Sequence, residues 1–353
     1  MNEPNKNKLN MCKIFIFILL IASKYWICYI NINIKKLFSF KRKNEDIKKT
    51  FLYIEDKDIS NLNKKKPINI SLSIDNSHVF PSLIVMTSAL DNNDKKNHIL
   101  IFYLLLSEDF TQDNIDIFES LKEKYDVRIN YYYMINYFKK LKKWGGKTYA
   151  IYYKLFISIL FPFLERMIHL DGDTVVFKDL WEMFNLPFND NYFLAQPTRK
   201  DVFKDKVLKQ NVINVGVMLI NIKKLREDNK DFELIDYLFK KKFTEQILIG
   251  YVCIPKIGYL PFKYGIFFIG DIKTYKSHVE DNMIQRVNLT EVSEAMKDPT
   301  IVHEVFCSPK HWYKNTKTYF EKSNWCKRYQ EYFYYYAKKT KYYKKIYHKY
   351  IKL

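Results

Sequence analysis

Seven consecutive residues, 99–105 (ILIFYLL), are apolar. A strand wet on one face alternates apolar and polar residues, whereas one covered on both faces reads as an unbroken apolar run. Such a strand sits inside a parallel sheet, and parallel neighbours need long crossover connections, usually helices. The surrounding sequence provides them. Residues 68–74 (INISLSI) read as a strand that stops at Asp75-Asn76-Ser77, and residues 83–90 follow as a helical segment after Pro81. Residues 111–124 carry a helical stripe at Ile115, Phe118 and Leu121, and residues 127–133 make a third strand. Residues 149–160 read as a helix stopped by Pro162; residues 167–170 and 174–177 read as short strands around Asp171-Gly172-Asp173. This alternation predicts an α/β fold with a mainly parallel sheet.

Ligands of such sheets bind beyond the carboxyl ends of the strands. Asp75 and Asp171-Gly172-Asp173 both sit at such ends. The segment Ile168-His169-Leu170-Asp171-Gly172-Asp173 delivers two carboxylates, spaced i and i+2, onto a tight turn, and Gly172 lets the backbone approach a ligand closely. Paired carboxylates of this kind suit a divalent cation that also holds phosphate oxygens. A solvated polar turn is the alternative reading of the same residues.

The chain carries a formal charge of +20, from 59 Lys and Arg against 39 Asp and Glu. That balance alone suggests a polyanionic partner. Only 7 of the 59 are Arg, and the 52 Lys are scattered from Lys6 to Lys352. Surfaces that grip phosphates and bases lean on the bidentate Arg fork, so no nucleic-acid partner is expected. Lys, Asn, Ile, Tyr and Phe are all abundant and share A/T-rich codons, which makes the excess a compositional bias on a solvated surface.

Residues 14–22 (IFIFILLIA) form an apolar run behind a basic flank, and apolar character resumes over residues 25–34 beyond Ser23 and Lys24. A bilayer needs about 20 residues, so residues 14–34 suffice if Lys24 snorkels. A cleaved signal peptide is the competing reading, but no small-x-small site follows Ala22. The expectation is an uncleaved signal anchor in residues 1–34, with the remainder in the lumen of the secretory pathway, Golgi or ER. Residues 35–66, rich in Asn and Lys, read as a stem. The five cysteines (Cys12, Cys28, Cys253, Cys307, Cys326) fit no zinc spacing, and their odd number forbids a complete disulfide framework. Of two glycosylation sequons, Asn69 falls in a core strand, leaving Asn288 as the acceptor in a lumen. Residues 316–353 end in a Tyr/Lys-rich stretch, read as a surface helix packed through its Tyr face or as one lying on an anionic membrane.

Four blocks resemble glycosyltransferase family 8, the retaining nucleotide-sugar transferases that include glycogenin and the lipopolysaccharide galactosyl- and glucosyltransferases. Residues 152–184, with their IHLDGDTVVFKDLWEMFN, are similar to the family's tyrosine-rich helix, its (Y/H)LDxD turn and its VVxxDLxEL continuation. INISLSIDNSHVFPSL resembles its first strand and nucleotide-binding turn. NVINVGVMLINIKKLR is similar to its NxGVMLINLKKWR block, and IVHEVFCSPKHW to its closing IIHFxG…KPW. The blocks occur in the family's order.

The resemblance implies a GT-A fold: a mainly parallel, Rossmann-like sheet flanked by helices over residues 67–315. It implies a metal-dependent retaining hexosyl- or pentosyltransferase with a UDP-sugar donor and a glycan, lipid-linked or protein acceptor. Asp171, Asp173 and His303 would be metal ligands, and two carboxylates with a neutral imidazole suit Mn²⁺, or Mg²⁺, better than Ca²⁺. Asp75 and Gly172 fall at donor-binding positions, with His78 where Tyr is common. Lys154 stands where Arg is common, and Lys310 matches a phosphate-touching Lys. Asn214 matches an active-site Asn; an amide is a poor nucleophile, so its expected task is to orient the sugar. The family's DQDxLN block is altered here to Thr244-Glu245-Gln246-Ile247-Leu248, with Glu245 and Gln246 beside the sugar. That change leaves room for a catalytically weakened nucleotide-sugar-binding relative. The last block also departs, with Cys307-Ser308-Pro309 at the small turn and His311 for Pro.

Overall fold

The computed structural model describes residues 51–54, 65–134, 138, 141, 148–197, 213–241, 243–267, 271–280, 288–305 and 324–351. The expected anchor (residues 1–34), Lys310 and the altered Cys307–His311 turn lie outside the described residues. No helix among the described residues is long and apolar enough to cross a membrane.

The apolar run lies where its composition requires. It belongs to β3 (His98–Ser107), which has β2 (Lys66–Ile74) on one side and β4 (Val127–Met134) on the other, both parallel to it. β2 also pairs in parallel with β5 (Arg166–Leu170). The sheet continues antiparallel into β8 (Ile213–Asn221) and β7 (Phe193–Pro197), and ends at β9 (Ile257–Tyr259), giving the order β1-β4-β3-β2-β5-β8-β7-β9. The stem reading of residues 35–66 needs one revision. Phe51–Ile54 forms β1, an antiparallel edge strand on β4.

Both faces of the sheet are covered. On one face Ile68, Ile70, Leu72 and Ile74 of β2 pack with α1 (Val79–Asn92), whose residues 79–90 are all buried. On the other face Tyr103 and Tyr132 meet Phe161, each pair with ring centroids 4.8 Å apart. α2 (Gln112–Glu119) follows β3 and ends in a 3-10 turn, Ser120–Glu123. The single helix expected over residues 149–160 is instead a 3-10 segment, Tyr149–Phe156, running into α3 (Ile157–Leu160). Tyr152 to Phe156 are buried without a break.

A second, three-stranded sheet is built from β10 (Tyr264–Ile266), β11 (Ile301–His303) and β6 (Thr174–Val176). β11 runs antiparallel to β6, pairing His303 with Thr174. The short α4 (Trp181–Phe184) follows β6; α5 (Ile222–Glu227), α6 (Lys230–Lys240) and α7 (Glu245–Cys253) follow β8; α8 (Ile272–Glu280) and α9 (Leu289–Lys297) precede β11. Asn288 is exposed and caps α9, accepting from the Thr290 and Glu291 amides at 3.0 and 3.3 Å.

The basic, aromatic tail packs on the domain rather than standing apart. α10 (Asn324–Ala337) and α11 (Tyr343–Ile346) place Tyr329, Phe333, Tyr336, Ala337 and Ile346 in the same core as α1. The Tyr336 hydroxyl accepts from Asn92 at the end of α1 at 2.7 Å. The lysines lie outward, as at Lys338, Lys341 and Lys345. Cys326 is buried and disulfide-bonded, while Cys253 is a buried free thiol. Phe333→Ala should therefore lower the unfolding free energy by about 3–5 kcal/mol in urea denaturation. Tyr335→Ala, at a 54% exposed position, should cost less than about 0.5 kcal/mol.

Candidate active site

β5 carries an apolar face into the sheet and then runs out at Asp171. The turn is fixed at once by two backbone acceptors. The Asp171 amide donates to the Gly216 carbonyl at 2.7 Å, and the Thr174 hydroxyl donates to the Asp171 carbonyl at 3.0 Å. The close approach that Gly172 permits is to α1: a Cβ there would sit 3.0 Å from Ser82 Oγ. The Glu304 amide donates to the Asp173 carbonyl at 2.9 Å, so the end of β11 is stitched to the same turn.

This stitching unites residues far apart in sequence. His303 Nε2 lies 2.9 Å from Asp173 Oδ1. One ligand atom each from Asp171, Asp173 and His303 falls within 4.8 Å of the others. Gly216 forms the floor. A Cβ at that position would lie 2.1 Å from His303 Cε1, 2.7 Å from His303 Nε2 and 2.8 Å from Asp171 Oδ2. Only a residue without a side chain lets the imidazole and the carboxylate converge there. Two hard carboxylates and one borderline imidazole fit Mn²⁺ or Mg²⁺.

Asp171 is polarised between its two oxygens. Oδ1 faces inward, accepting from Lys154 Nζ at 2.7 Å and lying 3.1 Å from His169 Nε2. The side chain is 34% exposed, and its Oδ2 lies over Gly216. Burial would raise its pKa, but the Lys154 charge and the His169 bond hold it well below the carboxylate range. Lys154 is buried, and its ammonium also donates to the Val215 carbonyl at 3.1 Å. Its charge is thus held on Asp171 rather than on an open phosphate site. Burial, reinforced by the Lys154 charge, lowers the His169 pKa to about 4, so the ring is neutral near pH 7.

A second centre surrounds Asp75, at the carboxyl end of β2. Its Oδ1 accepts from the Ser77 amide at 2.8 Å and the Ser77 hydroxyl at 2.6 Å, with His78 Nδ1 at 2.8 Å. Burial opposes ionisation, yet the bonds from His78 and Ser77 hold the carboxyl well below its usual range. The His78 pKa is raised, since burial is outweighed by the Asp75 contact. The cavity beside them, about 580 Å³, is lined among others by Asp75, Ser77, Glu108, Tyr149 and Tyr153. Glu108 and the two tyrosines carry no short motif, and the sequence did not single them out as ligands.

Asn214, on β8, is buried, and its Oδ1 accepts from the Gly216 amide at 2.9 Å. This fixes the amide orientation, turning the NH₂ group away from that bond. Glu245 is buried and opens α7, with Gln246 partly buried behind it. Thr244 is the N-cap of α7, its hydroxyl accepting from the Ile247 amide at 3.4 Å. Thr is a good N-cap, so this substitution in the altered block preserves the local geometry. The Tyr152 hydroxyl donates to the Phe243 carbonyl at 3.3 Å, tying α7 to the segment that carries Lys154.

Two consequences are measurable. The His169 pKa is about 4 in the fold against 6.5 for the free side chain. Between these values the unfolded chain binds the extra proton, so stability falls as pH drops through that window. His169→Gln should flatten this part of the profile, read as urea unfolding midpoints at successive pH values from neutral downwards. Gly216→Ala should weaken Mn²⁺ binding by tenfold or more, measured by calorimetry; unchanged affinity would show that the floor does not matter.

Comparisons with known proteins agree with this geometry. The model of glycosyl transferase family 8 matches residues 69–316. A lipopolysaccharide 1,2-glucosyltransferase of Escherichia coli is 27% identical over 245 residues, covering 64% of this chain and 69% of its own. Among solved structures, the bifunctional glycosyltransferase WbbM in its apo form superposes with TM-score 0.62 at 18% identity over 80% of this chain. The chain spans only 51% of that longer protein. The galactosyltransferase LgtC, in complex with donor and acceptor sugar analogues, gives TM-score 0.58 at 14% identity, covering 75% of this chain and 95% of its own. These likenesses establish an α/β, GT-A-like fold, and with most of its folded sequence matched by the family model the chain belongs to glycosyl transferase family 8.

Proposed function

We propose that this protein is a divalent-metal-dependent retaining glycosyltransferase that moves a hexose or pentose from a UDP-sugar to a glycan, lipid-linked or protein acceptor. The observation that carries this reading is the convergence of Asp171, Asp173 and His303 over Gly216. These three residues would hold Mn²⁺ or Mg²⁺, which when bound supplies Lewis-acid stabilisation of a departing diphosphate.

The chain's own residues divide the remaining work. Lys154 keeps Asp171 ionised and its inner oxygen fixed. The cavity beside Asp75 and His78 suits a nucleoside, with carboxylates at Asp75 and Glu108 to accept from base or ribose donors. The Asn214 NH₂ group is a donor for a sugar oxygen. Glu245, buried at the start of α7, would be the carboxylate beside the sugar. Retention of configuration follows from the family resemblance. Lys310, by its place in the closing block, would add positive charge to the diphosphate.

A second reading, a nucleotide-sugar-binding relative with weakened catalysis, is favoured by the altered Thr244-Glu245-Gln246 block. Donor hydrolysis and transfer by the full chain, with UDP-glucose, UDP-galactose and UDP-xylose, separate the two. Binding of UDP and Mn²⁺ without turnover on any donor would favour the relative. For the enzyme, Asp173→Asn and Asp171→Asn should cut transfer on the order of 10³-fold, several kcal/mol of transition-state stabilisation. Chelation by EDTA should abolish activity and added Mn²⁺ restore it.

The apolar residues 14–34 support a single-pass protein whose catalytic domain faces the Golgi or ER lumen. The disulfide at Cys326 fits an oxidising lumen. The outward lysines of the C-terminal helices add a surface suited to anionic lipid.

A further inference from the structure

Ser71 and His169 are register partners on the adjacent parallel strands β2 and β5. Both side chains are fully buried, at 0% exposure, on the face of the sheet opposite α1. The Ser71 hydroxyl lies 3.0 Å from His169 Nδ1, and His169 Nε2 lies 3.1 Å from Asp171 Oδ1. A buried hydroxyl and a buried imidazole are costly unless paired. Nothing in strand pairing requires them. Apolar residues occupy the flanking positions Ile70, Leu72, Ile168 and Leu170.

The distances set the ring between two partners, and the Ser71 hydroxyl also lies 3.5 Å from the Ile168 carbonyl, to which it can donate. Asp171 is ionised and can only accept, so His169 Nε2 carries the hydrogen. Nδ1 shares a hydrogen bond with the Ser71 hydroxyl. The chain therefore runs from Ser71 Oγ to His169 Nδ1, then from Nε2–H to Asp171 Oδ1. Lys154 donates to that same oxygen. With Oδ1 occupied twice from inside, Oδ2 is the oxygen over Gly216, beside His303 Nε2.

We propose that Ser71 and His169 form a buried relay that positions Asp171 for metal binding, Ser71 acting by holding the His169 ring in place. Both are positioning residues; neither touches the ion or the donor. The inference rests on the metal-binding reading of Asp171, Asp173 and His303. Orienting groups behind a metal ligand are typically worth about 10- to 100-fold in affinity.

The test is Mn²⁺ titration calorimetry on the full chain, without donor, for wild type, His169→Leu, His169→Gln, Ser71→Ala and the Ser71→Ala/His169→Leu double variant. His169→Leu should weaken Mn²⁺ binding by about tenfold or more. His169→Gln, whose amide N–H reaches the same oxygen, should recover most of that loss. Ser71→Ala, which removes one oxygen atom and is the variant safest for folding, should weaken binding by several-fold. The double variant should bind as His169→Leu does, because Ser71 acts only through the ring. Wild-type affinity in a folded His169→Leu or in Ser71→Ala would overturn the relay, as would losses that simply add in the double variant. A wild-type chain that binds no divalent cation would overturn the inference together with the metal-binding reading. Tight Mn²⁺ binding with no turnover on any donor would sink the proposed transferase while leaving the relay to be judged by the variants.

Discussion

The site depends on one ammonium placed where water does not reach. The Lys154 side chain is 2% exposed. A buried charge of that kind persists only with a counter-charge and hydrogen bonds, and losing the partner costs about 3–5 kcal/mol. Asp171 and the Val215 carbonyl meet that demand, and in doing so they settle the carboxylate's orientation. The Tyr149–Phe156 turn, the end of β5 and the middle of β8 are thereby pinned to one another. Everything nearer the ligand is built on that junction: the Gly216 floor, the Asn214 amide, and the His303 ring above them.

Much of the fold was legible because burial leaves a pattern in sequence. The unbroken apolar run of β3 gave away a strand covered on two faces, and the alternation of β2 showed its neighbour. The carboxylates at the strand ends were visible as Asp75 and Asp171-Gly172-Asp173, and the structure sets them at the carboxyl ends of β2 and β5. The residues 149–160 read as one regular helix, but the chain takes a 3-10 path over Tyr149–Phe156 before the α-helical turn Ile157–Leu160. β1 escaped notice because a four-residue edge strand in a Lys- and Asn-rich stretch offers too short a pattern.

The site was legible only in part, for a geometric reason. His303 stands 130 residues from Asp173, and no spacing rule links them; the pairing of β11 with β6 does. Only the order of blocks shared with a known family pointed to it. Gly216 was quoted within such a block, yet its role became visible when the space above it was seen to be shared by His303 and Asp171. His169 was equally in view, one residue before Leu170-Asp171. A lone histidine on an apolar strand reads as core until its neighbour across the sheet is known to be a serine.

The packing of α10 and α11 onto α1 has a consequence for how the chain is made. α1 begins at the turn that carries Asp75 and His78, early in the domain, whereas the aromatic residues that complete its cover lie far downstream, on α10 and α11. While the ribosome is still elongating, α1 and the adjoining strands are without part of their apolar cover. Until α10 and α11 have been made, that part of the core stays open, so the domain closes through contacts of high sequence separation rather than segment by segment.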